Sequence, residues 1–152
     1  MVVLHAMNRL TYLFVKSAGV LLLITALAKI FTGLVGHTRI LGFPDPILAI
    51  PFRAELLLVG ALEIIIAAVC FFTKRIRLQL GLVAWLATSF AAYRFGLWLV
   101  GIQFCKCLGD IPDALHLSTH TANTITASIL IYLLLGSYGG LIGKWILNSR
   151  RS

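Results

Sequence analysis

Residues 54–77 read AELLLVGALEIIIAAVCFFTKRIR, an apolar run of helix length that stops against Lys74, Arg75 and Arg77. An apolar α-helix needs about 20 residues to cross the hydrocarbon core of a bilayer, and 54–73 supplies them. In lipid every backbone amide must be bonded within its own segment, which makes helix the form such a run takes. Working outward, further runs of the same kind occupy 17–35 on one side and 78–100 and 122–142 on the other. None contains proline. Pro44, Pro46, Pro51 and Pro112 all fall in the connections 36–53 and 101–121, where a missing N–H does no harm. The sequence therefore predicts an all-α membrane protein, a single domain of 152 residues folded as a four-transmembrane-helix bundle.

Composition agrees. Hydrophobic residues make up 60% of the chain and charged ones 12%, and the mean hydropathy is +0.99. A soluble domain of this size lacks the polar surface it would need at those values, whereas a lipid solvent removes the need. The net charge of +8 does not point to nucleic acid, because the basic residues sit in short clusters between apolar runs.

Those clusters orient the chain. Arg9, Lys16, Lys74, Arg75, Arg77, Lys144, Arg150 and Arg151 flank the first span, the turn between the second and third, and the last span. In the other connections Arg39, Arg53 and Lys106 are balanced by Asp45, Asp110 and Asp113, and within the spans Lys29 and Arg94 are balanced by Glu55 and Glu63. The net positive charge thus lies on one face, which the positive-inside rule makes cytoplasmic. The expectation is N-in, C-in and multi-pass, in a bacterial inner membrane. Arg9, Lys16 and Ala26-Leu27-Ala28 resemble a cleavable signal, but the apolar run continues through Ile30, Phe31, Leu34 and Val35, so an uncleaved span is expected.

Charges inside a bilayer need partners. Lys29 shares a helix face with Thr25, Thr32 and Gly36, Glu63 one with Gly60 and Ala67, and Arg94 one with Ala87, Ala91 and Trp98. Counted from the outer ends, Lys29 and Arg94 lie about 10 Å deep and Glu63 about 15 Å deep. An unpaired charge there costs about 3 kcal/mol or more. A Lys29–Glu63–Arg94 cluster is expected, with Glu55 joining from the rim. It either fixes helix register or shapes a polar pocket opening outward. Thr121, Asn123, Thr124, Thr126 and Ser128 support a pocket, although such hydroxyls also bond their own backbone. Gly136 with Gly140, and Gly139 with Gly143, permit close helix approach. Trp98 and Trp145 read as interface anchors.

Cys70 reads as a small buried hydrophobe. Cys105 and Cys107 stand in the outer connection, on the oxidising side of a bacterial membrane. A bridge across one intervening residue is strained, which raises its reduction potential, and Lys106 favours thiolate. Such a pair suits thiol–disulfide exchange better than stapling. A rival reading takes Cys105, Cys107, His116 and His120 as a Cys2His2 metal site, with the two histidines on one helix face. A further alternative makes the chain a non-catalytic subunit packed among other membrane subunits.

The order of these features resembles the MauE/DoxX-like family of redox-associated membrane proteins. The resemblance rests on Lys29 in span one, Pro44-Asp45-Pro46, Pro51-Phe52-Arg53, Glu63, Arg94-Phe95-Gly96-Leu97-Trp98 and the Cys105-x-Cys107-Leu108-Gly109 loop, and covers 21–140. Lys106 stands where relatives frequently have proline, and a second outer cysteine pair is missing. The resemblance implies a four-helix bundle working with an exported thiol or disulfide protein outside the cytoplasm. No cofactor motif is present in the chain itself; a quinone is suggested by the resemblance and by the polar pocket, where a substrate or quinone head group could hydrogen-bond.

Overall fold

The computed structural model describes residues 2–36, 39–101 and 118–149. Its helices are α1 (Val2–Val35), α2 (Phe52–Phe72), α3 (Ile76–Leu99) and α4 (Thr119–Ser149), with a 3-10 turn at Arg39–Gly42. All four are long and apolar enough to cross a membrane. Their outer surface is covered with exposed side chains such as Phe31, Leu58, Ile65, Phe72, Leu135 and Trp145. A surface so apolar needs lipid around it. The chain is a multi-pass membrane protein.

Two helices outrun the apolar stretches expected to span. α1 has 34 residues and α4 has 31, because the flanking segments 2–16 and 143–149 contain no proline to stop them. At a rise of about 1.5 Å per residue, α1 is about 51 Å long and its basic first half reaches beyond the hydrocarbon. The α2–α3 connection shrinks to 73–75, since Ile76 and Arg77 already belong to α3.

The bundle is built as two close pairs. α1 lies against α2 and α3 against α4. Glycines set the first approach: a Cβ on Gly60 would stand 2.8 Å from Ile30 Cγ1 and 3.2 Å from the Ala26 carbonyl oxygen. A Cβ on Gly33 would meet Leu57 at 2.8 Å. The core, with Val15, Leu22, Ile66, Leu80, Val83 and Leu133, runs where the pairs meet, and Cys70 is fully buried in it. Of the α4 glycines, Gly136 faces Phe14 and Gly140 faces Leu80 and Thr11, whereas Gly139 opens away from the bundle. A hydroxyl contact from Ser17 to Tyr132 at 2.6 Å joins the pairs, and one from Thr88 to Tyr138 at 2.9 Å ties α3 to α4.

The ends of the helices are closed by neighbours. The final carbonyls of α2 have no partner within the helix. Lys16 Nζ donates to the Phe71 carbonyl at 3.0 Å, and Gln79 Nε2 donates to the Thr73 carbonyl at 2.6 Å and to those of Val69 and Cys70 at 3.2 Å. Arg53 Nη2 donates to the Gly36 carbonyl at 2.9 Å and so closes α1. Ser118 Oγ accepts the Thr121 N–H at 3.2 Å, an N-cap for α4.

Candidate functional site

Polar side chains from all four helices collect in the half of the bundle farther from the basic α2–α3 turn. At the centre, Lys29 Nζ donates to both oxygens of Glu63 at 2.8 and 2.9 Å. Their side chains are 5% and 1% exposed, so this pair is removed from any surrounding solvent. Thr25 Oγ1 lies 3.2 Å from Glu63 Oε2 and gives it a further donor. The Lys29 ammonium also lies 5.6 Å from the Phe90 ring centroid, on its face.

Arg94 and Glu55, expected in the same cluster, take hydrogen-bond partners other than Lys29 and Glu63. Arg94 lines a cavity with Lys29 and Glu63, but Nη2 donates to Asn123 Oδ1 on α4. The reason is the pairing of helices: α3 packs on α4, so the Arg94 side chain meets α4 first. Its Nη1 is buried and has no partner among the described residues. Glu55 stands two turns before Glu63 on α2 and contacts Asp45 and Tyr93. Its Oε2 is buried and has no partner among the described residues.

Asp45 organises the loop above. Its Oδ1 accepts the N–H groups of Ile47 and Leu48, both at 2.8 Å, and its Oδ2 accepts the Tyr93 hydroxyl. Burial raises the Asp45 carboxyl, but the bonds from Tyr93, Leu48, Ile47 and Glu55 outweigh it and hold the group below its ordinary 3.8. Ile47 packs on Gly96, where a Cβ would stand 2.9 Å from Ile47 Cδ1. The Pro44-Asp45-Pro46 turn and the Arg94-Phe95-Gly96 stretch therefore meet in space. Their spacing along the chain gave no sign of this; an aspartate fixed between two prolines was the available hint.

Lys29 and Phe90 stand between two cavities along the seam of the helix pairs. The smaller, about 40 Å³, is bounded by Thr25, Glu63, Arg94 and Thr126. The larger, about 230 Å³, lies between α2 and α3 and is bounded by Glu55, Leu56, Val59, Leu86 and Tyr93. The hydroxyls of α4 contribute less than their number suggests. Thr124, Thr126 and Ser128 donate to the carbonyls of His120, Ala122 and Thr124, and only Thr126 of these lines the smaller cavity.

The segment that carries Cys105, Lys106, Cys107, Asp110, Pro112, Asp113 and His116 lies outside the described residues, as do Arg150 and Arg151. His120, from the alternative metal set, is exposed in the first turn of α4. Trp98 and Trp145 are both largely exposed on the helix surfaces. No known family model, curated protein or solved structure matches the chain.

Proposed function

We propose that the chain is a membrane redox accessory in which Cys105 and Cys107 exchange disulfides with an exported partner. One thiolate attacks a sulfur of the partner's disulfide and the partner's other sulfur leaves as thiolate. The second cysteine then attacks the mixed disulfide, so the pair is oxidised and the partner reduced by two electrons; the reverse sequence oxidises the partner. The observation that supports this reading is the gathering of Lys29, Glu63, Arg94 and Asn123 in the half of the bundle where the Cys105–Cys107 connection joins α3 to α4. Intramembrane charges at such positions mark functional sites by default. The MauE/DoxX-like resemblance supports the same reading, and with it a bacterial inner membrane, N-in and C-in, and a quinone as the wider electron partner.

Single substitutions Cys105→Ser and Cys107→Ser test it. One of them accumulates a reducible adduct with an exported protein on non-reducing gels of alkylated cells, while the double variant forms none. Exported thiol proteins whose redox state is unchanged in the double variant would falsify the redox reading. Stoichiometric zinc in the purified protein, lost with His116→Ala, would put a metal site in its place.

A further inference from the structure

At the basic end of the bundle, a groove between α3 and α4 takes no part in the chemistry above. We propose that it binds one phospholipid with a net negative headgroup, drawn from the leaflet on that side and held by Arg77 and Lys144. This inference does not rest on the cysteines and stands or falls apart from the redox reading.

Helix pairing brings the two cations together. α3 and α4 run antiparallel, and a Cβ on Gly140 would stand 3.1 Å from both methyl carbons of Leu80. Arg77 lies about one turn before Leu80 and Lys144 about one turn after Gly140, steps that lead to the same end of an antiparallel pair. Both side chains border one open groove of about 400 Å³, together with Leu141, Ile142 and Trp145. Lys16, by contrast, is taken up by the Phe71 carbonyl at 3.0 Å.

No acidic side chain of the protein belongs to this end. Neither α3 nor α4 holds an aspartate or a glutamate. Glu63 is committed to Lys29, and Glu55 and Asp45 stand farther still from the α2–α3 turn. Asp110 and Asp113 fall in the connection between the opposite ends of α3 and α4. Two like charges on one groove, beside apolar surface, are unfavourable until an anion from outside joins them.

The rest of the wall decides what that anion is attached to. Ile142 and Trp145 are 56% and 72% exposed, and Leu141 is half-buried. A free phosphate would leave this apolar strip bare, whereas a phospholipid lays an acyl chain on it and brings its phosphate to the cations. Trp145, near the end of its helix, stands at the level that indole rings favour beside headgroups. A second copy in the same orientation would meet the groove with the same acid-free end. A zwitterionic headgroup would add an ammonium to a site that already holds two positive charges, so a net anionic one fits better.

Trp145 is placed to report occupancy. Trp85 and Trp98, both exposed, are replaced by Phe in the full-length protein, which is reconstituted in phosphatidylcholine vesicles. Rising fractions of the lipid are then exchanged for dibrominated phosphatidylglycerol or dibrominated phosphatidylcholine, which quench a neighbouring indole. The glycerol lipid is expected to bind about fivefold tighter, the worth of one Lys or Arg near an anionic headgroup. Arg77→Gln with Lys144→Gln should abolish that preference. Lys74→Gln with Arg75→Gln removes the same charge from the same end but from residues that do not line the groove, and should leave the preference in place. Equal quenching by the two lipids in the reporter protein overturns the proposal whether or not the charge variants fold. So does a preference that survives Arg77→Gln with Lys144→Gln, or one lost equally in both double variants, the mark of surface potential alone. A preference abolished by inorganic phosphate, but not by chloride of equal ionic strength, would assign the groove to a soluble anion and overturn it too.

Discussion

Lys29 and Glu63 make each other tolerable in lipid, and each is a liability without the other. Lys29→Met leaves a buried carboxylate with Thr25 as its remaining side-chain donor. It is expected to lower stability by about 3 kcal/mol, and adding Glu63→Leu should restore much of that loss. Thermal melts of the single and double variants in detergent measure the coupling; additive losses would show the pair to be uncoupled. The pairing of these residues follows from their depth, which the sequence gives directly. The destinations of Arg94 and Glu55 do not follow, because depth says nothing about which helix stands beside which. Asn123 on α4 and Asp45 in the loop were each visible as polar residues, but their partners depend on helix pairing and on a loop folded back over α3.

At the level of helices, lengths of apolar sequence locate the spans and leave the ends to local chemistry. α1 starts at Val2 rather than near residue 17 because nothing in its basic half breaks a helix. Close approach is a separate matter, visible only as glycines whose neighbours the sequence does not name. Gly60 is a contact point of α1 and α2, hemmed by Ile30 and by the backbone of Ala26, whereas a Cβ on Gly81 of α3 would meet nothing within 4 Å among the described residues. Gly60→Val should therefore push the pair apart and cost about 2 kcal/mol, in the range of overpacked cores. Gly81→Ala should raise stability by about 0.5–1 kcal/mol through helix propensity. Equal effects of the two changes in denaturation curves would mean that α1 and α2 are not held at the distance Gly60 permits.

For the whole molecule, the four spans were legible from hydropathy and the helix pairing was not. Apolar side chains face lipid and core alike in a membrane protein, so periodicity does not separate the two environments. Orientation is carried by the basic residues. An impermeant maleimide added to intact spheroplasts is expected to label reduced Cys105 or Cys107 and to spare Cys70, which is fully buried. Labelling of the pair only after permeabilisation would reverse the orientation. The caps on α2 bear on how such a bundle is made. Its last carbonyls are closed by Lys16, translated before it, and by Gln79, translated after it. A nascent chain that has emerged only as far as Thr73 has an unfinished second helix, and the ribosome must add about two further turns' worth of residues before the Gln79 amide can reach back. The smallest product of synthesis with that backbone closed is thus three helices begun, not two completed.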